Sequence, residues 1–375
     1  MRVAVLAGGC SLEHDVSLRS AAQVLEKLDR RRHEAWPVLL TPDGRWWPAR
    51  APLSAHEAFE PQQRASLHGP LRPGAALAWL QDHAGVDVVF PVLHGAFGED
   101  GTVQGMLELH GLPFVGSGCA ASAVAMDKLR TRQVFAAGGV PLADSYEPGA
   151  GWRRRSVHEE FERLRAAISV PAFVKGDVSG STVGVARVAS EQDLEAFLAT
   201  YGGRFRRWFA ERAVVGEEIT VAVLGNAGSD LQPLPPVGIY PVDDDWFTHD
   251  AKYRPGATEE IVPPRGLSPA RILQVQQLAT RCHELLVCDG MSRTDMIVTA
   301  AGPVVLETNT IPGLTRESLL PRAAAAAGLS FEAMLDRLLE LALERHRAAD
   351  GAGARRHDGS RDASKHAGDA RSEEA

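Results

Sequence analysis

A short, unbroken apolar run near the start restricts the fold most: Val3-Ala4-Val5-Leu6, stopped by Gly8-Gly9 and followed by a helical pattern from about Ser17 to Leu28. A strand that is apolar on both faces must be covered on both sides, which is the setting of a parallel sheet flanked by helices. A second such run, Val86-Asp87-Val88-Val89-Phe90-Pro91-Val92, ends at His94-Gly95. Strands alternating with helices predict an α/β domain with a parallel sheet and binding residues at the carboxyl ends of its strands. The stretch 41–75 between the two runs is rich in Pro and Gly and reads as irregular.

Further along, a helix is expected over 119–137, then a polar, Arg-rich segment at 151–158 and an amphipathic helix near 159–167. Strands at 170–175 and 183–188 flank a Gly/Ser loop at 176–184 and make a hairpin. The last third alternates strands (218–224, 295–299, 303–307) with a helix over 269–287, whose Ile272, Val275, Leu278, Cys282 and Leu285 share one face. A final helix runs from Ser330, a partial capping signal, to about Arg345. Residues 346–375 contain no Leu, Ile, Val, Phe, Met, Trp or Tyr, so they form a tail expected to be disordered.

A chain of 375 residues suggests two or three domains. Its net charge of −8 argues against broad binding to nucleic acid or anionic membranes. Cys10, Cys119, Cys282 and Cys288 are scattered without metal-ligand spacing and read as reduced thiols. No window approaches 18 uninterrupted apolar residues and no signal peptide opens the sequence, so a cytoplasmic location is expected. Among the 40 basic residues only Lys27, Lys128, Lys175, Lys252 and Lys365 are lysine. A lysine in such a chain marks a place where a guanidinium would serve poorly.

Five constellations carry chemistry. In Arg293-Thr294-Asp295 and Leu306-Glu307-Thr308-Asn309, at the end of the last strand pair, Glu307 and Asn309 share a strand face and Asp295 can approach from the neighbouring strand. This all-oxygen set suits Mg²⁺ or Mn²⁺; a solvated hairpin face is the alternative. Lys175-Gly176-Asp177-Val178-Ser179-Gly180-Ser181-Thr182-Val183-Gly184 could gather backbone N–H groups on an anion, or be a flexible turn. In His94-Gly95-Ala96-Phe97-Gly98-Glu99-Asp100-Gly101 the glycines allow close approach to a ligand, while Glu99 and Asp100 could simply cap the next helix. Glu13-His14-Asp15 with Ser17 could hold a substrate ammonium, and Asp250-Ala251-Lys252-Tyr253 contributes a further lysine. A phosphate clamp beside an amino-acid-sized pocket points to ATP-driven activation of a carboxylate.

In order, LAGGCSLEHDVSLRSA, VFPVLHGAFGEDGTVQGMLELHGLPFVGSG, AMDKLRTR, FVKGDVSGSTVGV, GEEITVAVLGN, DAKY and LETNTIPGLTRESLLP resemble the D-alanine–D-alanine ligases of the ATP-grasp superfamily, from about residue 2 to 345. The resemblance implies a three-domain α/β, glutathione-synthetase-like fold. Residues 1–116 would be a Rossmann-like substrate-binding domain, 117–210 the central domain with its phosphate-binding loop, and 211–345 the C-terminal domain with the metal site. It implies that Asp295, Glu307 and Asn309 hold two Mg²⁺ or Mn²⁺ ions and that Lys128, Lys175, Gly180 and Ser181 meet the ATP phosphates. Glu211, Arg212, Val214 and Glu218 would hold adenine and ribose. Glu13 would pair with the first D-alanine's ammonium, beside His94, and form a hydrogen-bonded set with Ser181 and Tyr253. Lys252, Ser318 and Leu319 would form the second D-alanine's pocket, with Arg293 and the Gly313 N–H stabilising the oxyanion. The implied product is D-alanyl-D-alanine for peptidoglycan, made by a homodimer.

Some residues depart from the family's pattern. Gly176-Asp177 stand where most members continue from the lysine with proline, and Thr182 replaces a second serine. His249 lies in a region where histidine is associated with D-alanyl-D-lactate formation, although such relatives generally lose the Lys252-Tyr253 pair kept here. The alternative is a variant ligase taking D-lactate, D-serine or another D-amino acid, of the kind that would serve a natural-product pathway. A ligase of a wholly different acid would be expected to lose Glu13 or Ser318, and a non-catalytic scaffold at least one metal ligand.

Overall fold

The computed structural model describes residues 1–366 except 60, 178–183 and 243–255; at 56, 61–63 and 350–366 it describes the backbone alone. The first sheet is built on β1 (Arg2–Gly8), which pairs in parallel with β2 (Glu34–Leu40) on one side and β4 (Val88–Leu93) on the other. The short β3 (Trp46–Pro48) closes the far edge antiparallel to β2, giving the order β3-β2-β1-β4. The expected parallel sheet is present. The stretch expected to be irregular nevertheless supplies β3, the short helix α2 (Ala55–Phe59) and the start of α3 (Pro73–Trp79). Its apolar Trp46 and Leu67 are buried and pay for order that the Pro/Gly content obscures. Helix α1 (His14–Lys27) covers one face of β1 and β4, and α4 (Thr102–Leu109) follows the loop after β4.

The helix expected over 119–137 is two helices, α5 (Cys119–Met126) and α6 (Lys128–Ala137). Asp127 breaks it by taking a non-helical conformation and accepting the Arg130 N–H on its side chain, an N-cap that restarts the helix at Lys128. The central sheet is antiparallel, in the order β5-β8-β6-β7, with β5 (Ser145–Tyr146), β6 (Ala172–Gly176), β7 (Val185–Val188) and β8 (Trp208–Arg212). Helices α7 (Val157–Ala167) and α8 (Glu191–Tyr201) bury its Val174, Trp208 and Ala210 face with Leu164, Leu194 and Phe197. Strand β8 runs through the expected 210/211 boundary, so the central sheet extends to Arg212.

The third sheet has β9 (Glu217–Leu224) at its centre, with β10 (Gln232–Pro233), β11 (Val237–Pro241), β12 (Thr258–Ile261), β13 (Met291–Val298) and β14 (Pro303–Asn309), all antiparallel. Helix α9 (Pro269–Leu285) packs Val275 and Ala279 on one face, against Ile219, Val221, Val223 and Met296. Two last helices, α10 (Leu319–Ala326) and α11 (Phe331–His366), cover part of the other face. Their Leu320, Met334 and Leu338 share one core with Ala222 and Leu224 and with Val5, Val24 and Phe90 of the first sheet, so the first and last thirds are one packed unit. Helix α11 continues through 346–366, where a disordered tail was expected. Extending an established helix costs no new nucleus, and this segment contains no proline.

Candidate active site

The phase of β14 sets the site. In regular alternation Val305 and Glu307, two apart, would share a face. The ladder instead pairs Asp295 with Glu307 but Met296 with Val305, leaving Leu306 over as a bulge. Val305 and Met296 therefore turn into the core, while Glu307 and Asn309 turn to the face that α9 leaves uncovered. On that face Thr220, Asp295 and Glu307 lie opposite one another across β9, β13 and β14, and Ala222, Arg293 and Asn309 form the next row. Asp295, Glu307 and Asn309, expected as metal ligands, are thus brought to one face, where Asp295 is 9% exposed.

Its polar contacts are dense. Arg293 donates from Nε and Nη2 to the two oxygens of Asp295 at 2.9 and 2.7 Å, and Thr220 Oγ1 donates to Asp295 Oδ1 at 2.5 Å. Asn309 Nδ2 stands 3.5 Å from Asp295 Oδ2. Burial works against the Arg293 charge, but Asp295, with Glu307 and Glu99 further out, more than offsets it and holds the guanidinium firmly protonated. The Lys128 ammonium, on the first residue of α6, bonds Glu307. Two carboxylates and an amide carbonyl on one face are hard oxygen donors and fit a divalent cation such as Mg²⁺.

A second group lies on the central sheet. Lys175 and Phe173 on β6 share a face with Phe209 and Glu211 on β8, opposite the face under α7 and α8. Buried Glu211 pairs with both Lys175 and Arg132. Arg132 Nη2 also donates to Ala143 O at 2.7 Å. Arg132 was not expected from the sequence, although it follows Lys128 by four residues and so shares its helix face. Arg212, next to Glu211, turns to the opposite side; its exposed guanidinium bonds Asp144 at 3.0 Å and is not part of the Lys175 group. Val214 and Glu218 are half-buried, Glu218 on the same sheet face as Thr220.

The third group lies at the carboxyl ends of the adjacent strands β1 and β4. Ser11 Oγ donates to His94 O at 2.6 Å and accepts the Glu13 N–H at 3.2 Å. The Glu13 carboxylate packs on Gly95, where a Cβ would stand 3.0 Å from Oε2; with φ of +73° this position favours glycine on both counts. His94 is buried, its Nε2 3.4 Å from Ser20 Oγ. The loop acids brace the loop and do not cap α4, whose N-cap is Gly101 without a side-chain cap: Glu99 accepts the Gly95 N–H at 2.7 Å, and Asp100 those of Phe97 and of Thr102, the first residue of α4.

At the start of α10, Ser318 Oγ takes the Thr315 N–H at 3.1 Å and shares a hydrogen bond with Thr315 Oγ1 at 2.8 Å. The Gly313 Cα lies against this hydroxyl. Leu319 is the first residue of α10 and is half-buried. Gly180, Ser181, Lys252 and Tyr253 lie outside the described residues, as do Ser179, Thr182 and His249.

Residues 2–117 match the family model for the D-ala D-ala ligase N-terminus, and residues 135–340 the one for the D-ala D-ala ligase C-terminus. The D-alanine–D-alanine ligase of Syntrophobacter fumaroxidans is 40% identical over 350 residues, covering 92% of this chain and 98% of its own. The solved D-alanine–D-alanine ligase of Coxiella burnetii superposes with a TM-score of 0.82 at 29% identity, covering 96% of this chain and 99% of that one. The VanG D-Ala:D-Ser ligase of Enterococcus faecalis superposes with a TM-score of 0.76 at 28% identity, over 91% and 99%.

Proposed function

The chain belongs to the D-alanine–D-alanine ligase family, and from that membership we propose that it joins two D-alanines into D-alanyl-D-alanine, consuming ATP and releasing ADP and phosphate. A carboxylate is a poor acceptor for an amine, so the ATP γ-phosphoryl group first passes to a carboxylate oxygen of the first D-alanine and gives an acyl phosphate. Lys128 and Lys175 offset charge on the transferred group, where most catalysis of phosphoryl transfer resides. Asp295, Glu307 and Asn309 would hold the divalent cations, Mg²⁺ or Mn²⁺, which supply further charge neutralisation when bound. Glu211, Val214 and Glu218 take the nucleoside, with Arg212, whose guanidinium turns away to Asp144, contributing its backbone alone.

Glu13 pairs with the first substrate's ammonium beside His94, while Lys252 and Ser318 hold the carboxylate of the second in a pocket with Leu319. The amine of the second D-alanine attacks the acyl carbon, and the tetrahedral intermediate collapses with loss of phosphate. Arg293 and the Gly313 N–H stabilise its oxyanion, a type of interaction worth about 10²–10³ in rate. The Glu13, Ser181 and Tyr253 set is the route for the proton the amine loses. The loop around Gly180 meets the phosphates. We further infer a cytoplasmic homodimer serving peptidoglycan synthesis; among the described residues no helix is long and apolar enough to cross a membrane.

One observation carries the reading. Lys128, from the central segment, bonds Glu307 beside Asp295 in the C-terminal segment, so a predicted phosphate contact and the predicted metal ligands meet at one place. ADP release with Mg-ATP and D-alanine, with the product identified by mass, tests it; Glu307→Gln should abolish both. The likeness to the D-Ala:D-Ser enzyme favours one second reading, a different acceptor. ADP release that requires D-serine or D-lactate would establish it, and no turnover with any acceptor would refute both.

A further inference from the structure

The root of the Gly/Ser loop is tied in a way that uses Gly176 and Asp177, two of the residues that depart from the family's pattern. Gly176 N–H donates to Gly184 O at 3.1 Å, joining the ends of the loop. The Phe205 ring lies on both glycines: a Cβ at Gly176 would stand 2.5 Å from it, and Gly184 has a φ of +75° beneath the same ring. The buried Asp177 is bonded on every side. Its N–H donates to Arg207 O at 3.0 Å, its carbonyl accepts the Lys128 N–H at 3.0 Å, and its carboxylate accepts Arg207 Nε at 3.2 Å. Arg207 Nη2 donates at 2.6 Å to Asp127, the residue that caps α6. One guanidinium therefore bridges two aspartates from separate segments, a task for which its fork suits it and an ammonium would not. Burial works against the Arg207 charge, and the two carboxylates more than offset it.

We propose that Arg207 is a positioning residue for phosphoryl transfer: by fixing Asp177 to Asp127 it holds the first turn of α6, and the Lys128 ammonium there, in register with the strand that carries Lys175. The inference rests on the reading of Lys128 and Lys175 as contacts to ATP. Arg207 itself touches neither Lys128 nor Glu307 by any hydrogen bond among the described residues; its effect passes through the N-cap and the Asp177 carbonyl.

The test is a double-mutant cycle on the full-length enzyme, measuring kcat and the KM for ATP in wild type, Arg207→Ala, Lys128→Ala and the double variant. Arg207→Ala should raise the KM for ATP about 10- to 150-fold, the span of one lost hydrogen bond to a charged group, with the KM for D-alanine unchanged. Arg207→Lys should recover only part of the loss. In the Lys128→Ala background Arg207→Ala should cost less than about threefold, because the group it positions is gone. Full additivity, or an unchanged KM for ATP, would overturn the proposal. Lys128→Ala with a normal KM for ATP would instead refute the underlying reading of Lys128, and the proposal with it. If Arg207→Ala yields no folded enzyme, Asp177→Asn, which keeps the shape and removes the charge, is read in the same cycle.

Discussion

Gly313→Ala is a substitution whose effect follows from a single contact. A Cβ at position 313 would stand 2.7 Å from Ser318 Oγ and 3.3 Å from Ser318 Cβ, with no other atom of the described residues beyond its chain neighbours within 4 Å. Gly313 is not among the glycines with positive φ, so alanine strains no backbone there. The obstacle is one rotatable hydroxyl, and the clash is relieved by turning Ser318 about χ1. That rotation breaks the bonds of Ser318 Oγ to the Thr315 N–H and to Thr315 Oγ1. Two neutral hydrogen bonds at about 0.5–1.5 kcal/mol each give a loss of about 1–3 kcal/mol, or roughly 5- to 150-fold. The loss should fall on the acceptor, because Ser318 belongs to the second-substrate pocket in the proposed mechanism. Initial rates over a wide D-alanine range, at saturating ATP, resolve the two binding steps. The acceptor term should weaken by that factor while the donor term and the KM for ATP stay within about twofold. An acceptor term equal to wild type would show that the Ser318 hydroxyl does not hold the substrate, and a loss spread evenly over all three terms would show that the helix start as a whole had moved.

Two further outcomes concern stability. His283 is buried with Nδ1 2.7 Å from Ser292 Oγ, and burial pushes its pKa down to about 4. The unfolded chain takes up a proton near pH 6.5 and the native state only near 4, so this stabilisation is complete above 6.5 and is lost as pH falls through the window between them. At about 1.4 kcal/mol per pKa unit the full loss is about 3 kcal/mol. Urea midpoints from pH 7 to 4.5 should fall less steeply in His283→Gln than in wild type; equal slopes would show that another group governs the acid limb. Arg345, on α11, donates to the carbonyls of Gly116 and Phe114, stacks 4.1 Å from the Phe114 ring centroid and lies 3.6 Å from Asp289, whose carboxyl burial pushes up. Arg345→Ala should cost about 2–4 kcal/mol in urea unfolding by leaving those groups unpaired, and a change under about 0.5 kcal/mol would refute that account.

What the sequence disclosed was set by distance along the chain. The runs that became β1 and β4, the hairpin β6–β7 and the hairpin β13–β14 are local patterns, and each site group nearest to them was legible: Glu13 and His94 after the parallel strands, Lys175 at the end of β6, Asp295 with Glu307 and Asn309 across one turn. Strand β2 escaped because Pro37 stands in the middle of its run, where proline argues against an inner strand. The break at Asp127 was open to a capping argument, but the apolar pattern on either side masks it. Arg132 and Arg207 could not be read at all: their carboxylate partners lie 79 residues away for Glu211, 30 for Asp177 and 80 for Asp127, and no periodicity couples such positions.

The scarcity of lysine needs a narrower physical reading than the sequence suggested. Lys128 and Lys175 are 15% and 13% exposed, against 40% for Lys27 at the surface, so the two lysines in the site do occupy confined places. Arginine is no less buried there, at 10% for Arg132 and 11% for Arg293. Space alone therefore does not separate the two cations. Their contacts do: Arg293 grips both oxygens of Asp295, and Arg132 binds a carboxylate and a carbonyl at once, tasks that need a planar fork held in one orientation. Lys128 and Lys175 each make one charge contact to a carboxylate, which leaves a compact ammonium free to turn toward a phosphate without dismantling a second bond. Arg132 thus closes on two fixed protein partners, while Lys128 and Lys175 keep an ammonium for a proposed partner that comes and goes with turnover. Lys128→Arg should therefore lower kcat about tenfold or more while preserving the positive charge, since a fork closed on Glu307 would have to open in every cycle. A kcat within twofold of wild type would show that charge alone is required at that position.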